Sequence, residues 1–149
     1  MKRAVVLLTV ALSVILAVGF SAKAFSVAKP PTPIIKAGKK QISTTQGSYC
    51  WKGFFSAECV DMASPPELVK NNPAVAVKPG AKITISYEKE PAAGSIGVTQ
   101  WKDVNNPTAA NFQGNVLTVP KEKGVYIYDV FARWDNKGDA CHAFVIEVK

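Results

Sequence analysis

A chain of 149 residues, 48% apolar and 19% charged, holds material for one ordinary core and is too apolar for a disordered solvating tail. Its formal charge of +7 includes Lys2, Arg3 and Lys23; without those three, fifteen basic residues face eleven acidic ones. That modest excess is scattered along the sequence, which argues against a nucleic-acid partner of the kind that needs a clustered basic footprint.

The chain opens on Met1-Lys2-Arg3, a positive n-region, followed by the unbroken apolar or small run Ala4–Phe20 and by Ser21-Ala22-Lys23-Ala24, a small-x-small cleavage pattern. Residues 1–24 therefore read as a signal peptide cut before Phe25, or as a signal-anchor, since the run nears the length that crosses a hydrocarbon core of ~30 Å. No cysteine closes the run, so a lipoprotein anchor is not expected. In either case the remainder is expected to be secreted or to sit on the extracytoplasmic face of the membrane, because charges ahead of an apolar run keep the N-terminus inside. Membrane contact is expected only through Ala4–Phe20, if uncleaved. Residues 25–33 carry Pro30, Pro31 and Pro33 and predict an extended, poorly packed spacer.

From residue 34 to 149 the pattern is one all-β domain. Short β-type runs, broken by Gly, Pro and Asn, predict strands near 34–37, 41–45, 48–51, 74–77, 82–88, 96–102, 115–119, 125–134 and 140–148. One short helix interrupts them: Ser64-Pro65-Pro66-Glu67 offers a cap, prolines for the first turn and a Glu placed to close a capping box. Asn71-Asn72-Pro73 ends it, because a residue before proline is pushed out of the helical region. In the last third, Tyr126, Tyr128, Val130, Ala132 and Trp134 fall on one face. The turn Asp135-Asn136-Lys137-Gly138-Asp139 follows, and His142, Phe144, Ile146 and Val148 share a face of the returning strand. The outward Val125, Ile127, Phe131 and Val145 form an apolar patch if nothing covers them.

The Pro79-Gly80 turn leading into Lys82-Ile83-Thr84-Ile85, and Gly124-Val125-Tyr126-Ile127-Tyr128 opening the penultimate strand, resemble the bacterial immunoglobulin-like β-sandwiches of cell-surface proteins. Gly124-x-Tyr126 is similar to a tyrosine corner, with the aromatic Tyr128 where antibody-type domains have cysteine. The span from Gly47-Ser48-Tyr49-Cys50-Trp51 to Ala143–Val148 resembles a group of small exported Gram-positive proteins of unassigned function. The resemblance implies an immunoglobulin-like sandwich of about seven to nine strands outside the cytoplasm, and carries no catalytic residues with it.

Three cysteines leave one without an internal partner. Cys50 and Cys59 enclose eight residues and are the favoured pair in an oxidising compartment, with Cys141 as the free thiol; a bridge from Cys141 to either of the others stays open. Cys141-His142 invites a nucleophile-and-base reading, yet neighbours on a strand point to opposite faces, so no catalytic residue is assigned and the domain is read as a non-enzyme. The single histidine is fewer than a blue-copper site needs, and no zinc spacing occurs, so no metal or other cofactor is expected. Lys36, Lys39 and Lys40 lie close together and read as a solvated loop.

Tyr49, Trp51, Phe54 and Phe55 crowd in or beside the loop that Cys50 and Cys59 would staple, and a rigid loop with exposed aromatics is how binding modules present anchors. A small satellite core under the loop is the competing reading. Together with Phe131 these residues are the candidate contacts for an unidentified protein or cell-wall component. Two other functions stay open: inhibition of an extracytoplasmic hydrolase by an inserted loop, and a thiol-redox role for Cys141.

Overall fold

Alternation places two sheets face to face across one core. The computed structural model describes residues 29–149; the leader and the start of the spacer lie outside the described residues. Strands β1 (Ile34–Ala37), β2 (Lys40–Ile42), β6 (Lys82–Ser86), β9 (Phe112–Gln113) and β10 (Val116–Thr118) form a five-stranded antiparallel sheet in the order β2-β1-β6-β10-β9. The second sheet has seven strands. It runs β4 (Ala57–Val60), β3 (Thr45–Lys52), β12 (Gly138–Val148), β11 (Gly124–Trp134), β7 (Gly97–Trp101), β8 (Pro107–Ala109), and β5 (Val75–Val77) pairs in parallel with the end of β12.

The long hairpin forms as its alternation requires. All eleven residues of β11 pair with β12, from Gly124↔Val148 to Trp134↔Gly138. Tyr128, Val130, Ala132 and Trp134 from one strand and Phe144, Ile146 and Val148 from the other are buried against Ile35, Ile83, Ile85 and Leu117 of the opposite sheet. Tyr126 is partly buried at the rim of this core, and its hydroxyl donates to the carbonyl of Glu122 (2.9 Å), the back-bond that defines a tyrosine corner.

Four readings need correction. Pro30 and Pro33 are buried, so the chain joins the domain before β1 and its last spacer residues pack rather than dangle. Three strands escaped the sequence: β4, β8 and β9 lie at sheet edges and are short and largely exposed, so they carry no alternating signal. The helix α1 (Pro65–Val69) forms where expected, but Ser64 makes no side-chain cap bond, and Glu67 instead pairs with Lys70 (2.9 Å). Val145 is not an open surface residue: Val69 covers it together with Ala143, with Leu68 and Ile127 packed around them.

Candidate functional site

The β3–β4 hairpin presents two aromatic rings to solvent. Cys50 and Cys59 stand opposite each other in the ladder, and their side chains form a disulfide across it with Cα atoms 4.0 Å apart. Two pairs further on, Trp51↔Glu58 and Lys52↔Ala57, the strands close through a turn in which the Gly53 N–H donates to the Ser56 carbonyl (2.7 Å). Phe54 and Phe55 occupy the two central positions of that turn. They are 91% and 82% exposed and meet edge to face with ring centroids 4.6 Å apart.

Strand parity decides the other candidate aromatics. Because Cys50 faces out, Trp51 faces in; it is 4% exposed and lies edge-on to Trp134 at 5.4 Å, with Tyr87 on the same indole at 5.1 Å. Trp51 is thus the root of the hairpin rather than a surface anchor, which corrects its reading as a contact residue. Tyr49 is likewise half-buried against the core. Phe131 is 39% exposed on the outer face of β11, two strands away from β3 and separate from the tip. Of the five candidates only Phe54 and Phe55 form one fully presented surface.

The tip is held from a second side. The Lys52 N–H donates to the Lys137 carbonyl (2.7 Å) in the turn between β11 and β12. Gly138 leaves that turn with φ of 138°, and a side-chain carbon on it would overlap the Cys50 carbonyl. The two hairpins are therefore in backbone contact at the position of the disulfide.

A smaller pocket of about 200 Å³ opens on the outer face of the large sheet, between β3, β11 and the segment leading into α1; Trp101, Asp129, Cys141 and Leu68 are among its walls. Burial pushes the Asp129 carboxyl up to about 6, against the lowering effect of a hydrogen bond from the Cys141 thiol. Burial, followed by the charge of Asp129, pushes that thiol up to about 12. A thiol so held stays protonated at neutral pH, where nucleophilic and redox chemistry needs thiolate.

His142 points away from this pocket, into the core. It is buried, and neither ring nitrogen meets a hydrogen-bond partner among the described residues. Alkylation of the native protein without reductant is expected to label Cys141 alone, slowly when folded and rapidly in urea. Labelling of Cys50 or Cys59 would contradict the disulfide, and rapid labelling in the folded state would contradict the thiol's high pKa.

Set against known families, curated proteins and solved structures, the chain finds no match.

Proposed function

We propose that the domain is an exported, immunoglobulin-like binding module that holds Phe54 and Phe55 out to a protein or cell-wall component and performs no chemistry of its own. The observation that carries this reading is the near-complete exposure of two adjacent phenylalanines at a tip clamped by a disulfide and by a neighbouring hairpin. An isolated exposed apolar residue is ordinary, but a rigid pair disfavours water over one continuous surface. Covering a phenyl side chain stabilises a complex by roughly 1.5 to 3 kcal/mol, and a tip already held in shape loses little entropy on docking. The disulfide accords with an oxidising compartment outside the cytoplasm. The Tyr126 back-bond supports the immunoglobulin-like reading.

The test is capture from an envelope fraction by the full chain and by the double variant Phe54→Ser, Phe55→Ser. A specifically captured component is expected to fall more than tenfold with the variant, as for hot-spot residues, while the melting temperature stays put because both rings are solvent-exposed. Equal capture by both proteins removes the proposal. Trp51→Ala is a folding perturbation instead, with an expected loss of about 3 to 5 kcal/mol.

The same convex tip also suits insertion into a concave active site, the second reading. It predicts that the full chain inhibits a secreted protease or lysozyme at micromolar concentration and that the Phe54, Phe55 double variant does not.

A further inference from the structure

The end of the sandwich opposite the aromatic tip is a lysine-rich surface assembled from distant parts of the chain. Lys39 and Lys40 come from the β1–β2 turn, Lys78 and Lys82 from the turn that opens β6, and Lys121 and Lys123 from the loop before β11. The ladders bring these segments together. Ala37 pairs with Ile83, the Gly80 N–H donates to the Pro120 carbonyl (3.1 Å), and the Val119 N–H donates to the Ala81 carbonyl (3.0 Å). At the same end, β11 begins at Gly124 opposite Val148, and the Lys149 N–H donates to the Val77 carbonyl (3.2 Å).

All six lysines are exposed, and among the described residues none of them makes an ion pair. The nearby Glu147 is engaged by Lys149 (2.6 Å), which leaves Glu122 as the acidic residue within the lysine-bearing loops. Outside the six lysines and Glu122, the chain after Ala24 has nine basic and ten acidic residues, so the whole positive excess of the domain sits at this end.

Between the lysines runs a groove of about 560 Å³. It is lined by the small or apolar residues Gly38, Pro79 and Gly80, with Lys40, Lys78 and Lys82 along it. A concave floor with cations beside it fits a narrow, flexible chain of anionic groups better than a flat lipid surface. The large exposed rings, Phe54 and Phe55, which a bilayer interface would take up, are at the other end.

We infer that this groove binds a linear anionic polymer with phosphate groups repeated along a flexible backbone, through Lys40, Lys78 and Lys82 with Lys39, Lys121 and Lys123 around them. The site is separate from the aromatic tip and does not depend on the partner proposed for it.

The experiment titrates the full chain with long-chain inorganic polyphosphate across a range of salt concentrations. Binding is expected with a steep negative dependence of log affinity on log salt, as counterions leave the polymer. The triple variant Lys40→Gln, Lys78→Gln, Lys82→Gln is expected to bind at least about tenfold more weakly and to flatten the salt slope by about 2, the effect of losing three phosphate contacts on a single-stranded polyanion. A control with the same change in charge elsewhere, Lys52→Gln, Lys70→Gln, Lys102→Gln, is expected to bind as the parent does, and both variants to melt with it. The Phe54, Phe55 double variant is expected to keep full polyphosphate affinity, which tells failure here from failure of the tip. Absent binding, equal loss in the two triple variants, or tighter association with phosphatidylglycerol vesicles at equal phosphate concentration overturns the inference.

Discussion

Replacing Gly138 by alanine is expected to destabilise the domain by about 3 kcal/mol or more, a large share of the 5 to 15 kcal/mol that holds a typical domain together. Two effects combine. At φ of 138° a side chain is strained wherever it sits, which is worth roughly 1 to 3 kcal/mol. The added carbon also runs into the Cys50 carbonyl, a backbone atom that the ladder and the disulfide keep in place. Gly114 separates the two contributions, because it too has positive φ, 61°, but a carbon added there meets nothing within 4 Å. Gly114→Ala should lose only about 1 kcal/mol. Thermal unfolding followed by circular dichroism reads both, at about 4 °C or more per kcal/mol for a domain of this size. Equal shifts for the two variants would show that the close approach of Cys50 to Gly138 is unimportant.

The second large effect is in acid, where two buried groups on the long hairpin pull in opposite directions. Burial holds the His142 imidazole down to about 4. The unfolded chain takes up that proton near 6.5 while the folded one refuses it, so stability falls as pH drops from about 6.5 to 4, by on the order of 3 kcal/mol at most. Asp129 behaves inversely. With its folded carboxyl pushed up to about 6, it binds a proton before the unfolded chain does, so its contribution improves as pH falls from about 6 to 4, while above 6 the full burden of a buried charge remains.

The parent is therefore expected to show a muted acid response in which the two partly cancel. His142→Gln is expected to remove the loss and leave a profile that rises toward pH 4.5. Asp129→Asn is expected to gain stability at pH 7.5 and to fall more steeply in acid. Urea midpoints at those two pH values measure it, and profiles parallel to the parent's for both variants would refute the assignment.

How much of this could be read in advance depended on whether a residue's environment was local. The β11–β12 hairpin was legible because one strand carries five and the other four apolar or aromatic-type positions on a single face, enough to fix which face is dry. The Cys50–Cys59 bridge was legible because only eight residues separate the two cysteines; their position opposite each other across a hairpin was not, since β4 carries no alternating signal. Trp51 was misread as a surface ring although the needed clue was present: a solvent-facing Cys50 forces its neighbour inward.

Other features had no local signal. Ala57–Val60 and Pro107–Ala109 are edge strands with almost nothing buried, so their pairing partners, not their own side chains, make them strands. The lysine end was invisible for a different reason. Lys39 and Lys123 are far apart along the chain, and the crossovers between β1, β6 and β11 alone bring them to one end of the molecule. The covering of Val145 by α1 is equally a tertiary event, since nothing in the sequence of β12 says which face a distant five-residue helix will choose.

The position of β12 bears on the order of assembly. It lies inside the larger sheet, with β11 along one edge and β3 then β5 along the other, yet it is the last of these strands to be synthesised. Until β12 has been delivered, β5 has no partner strand and β3 is paired only with β4, so the larger sheet closes late, after its last strand has been made. Closure of the larger sheet is therefore a long-range event that couples the first third of the domain to its end.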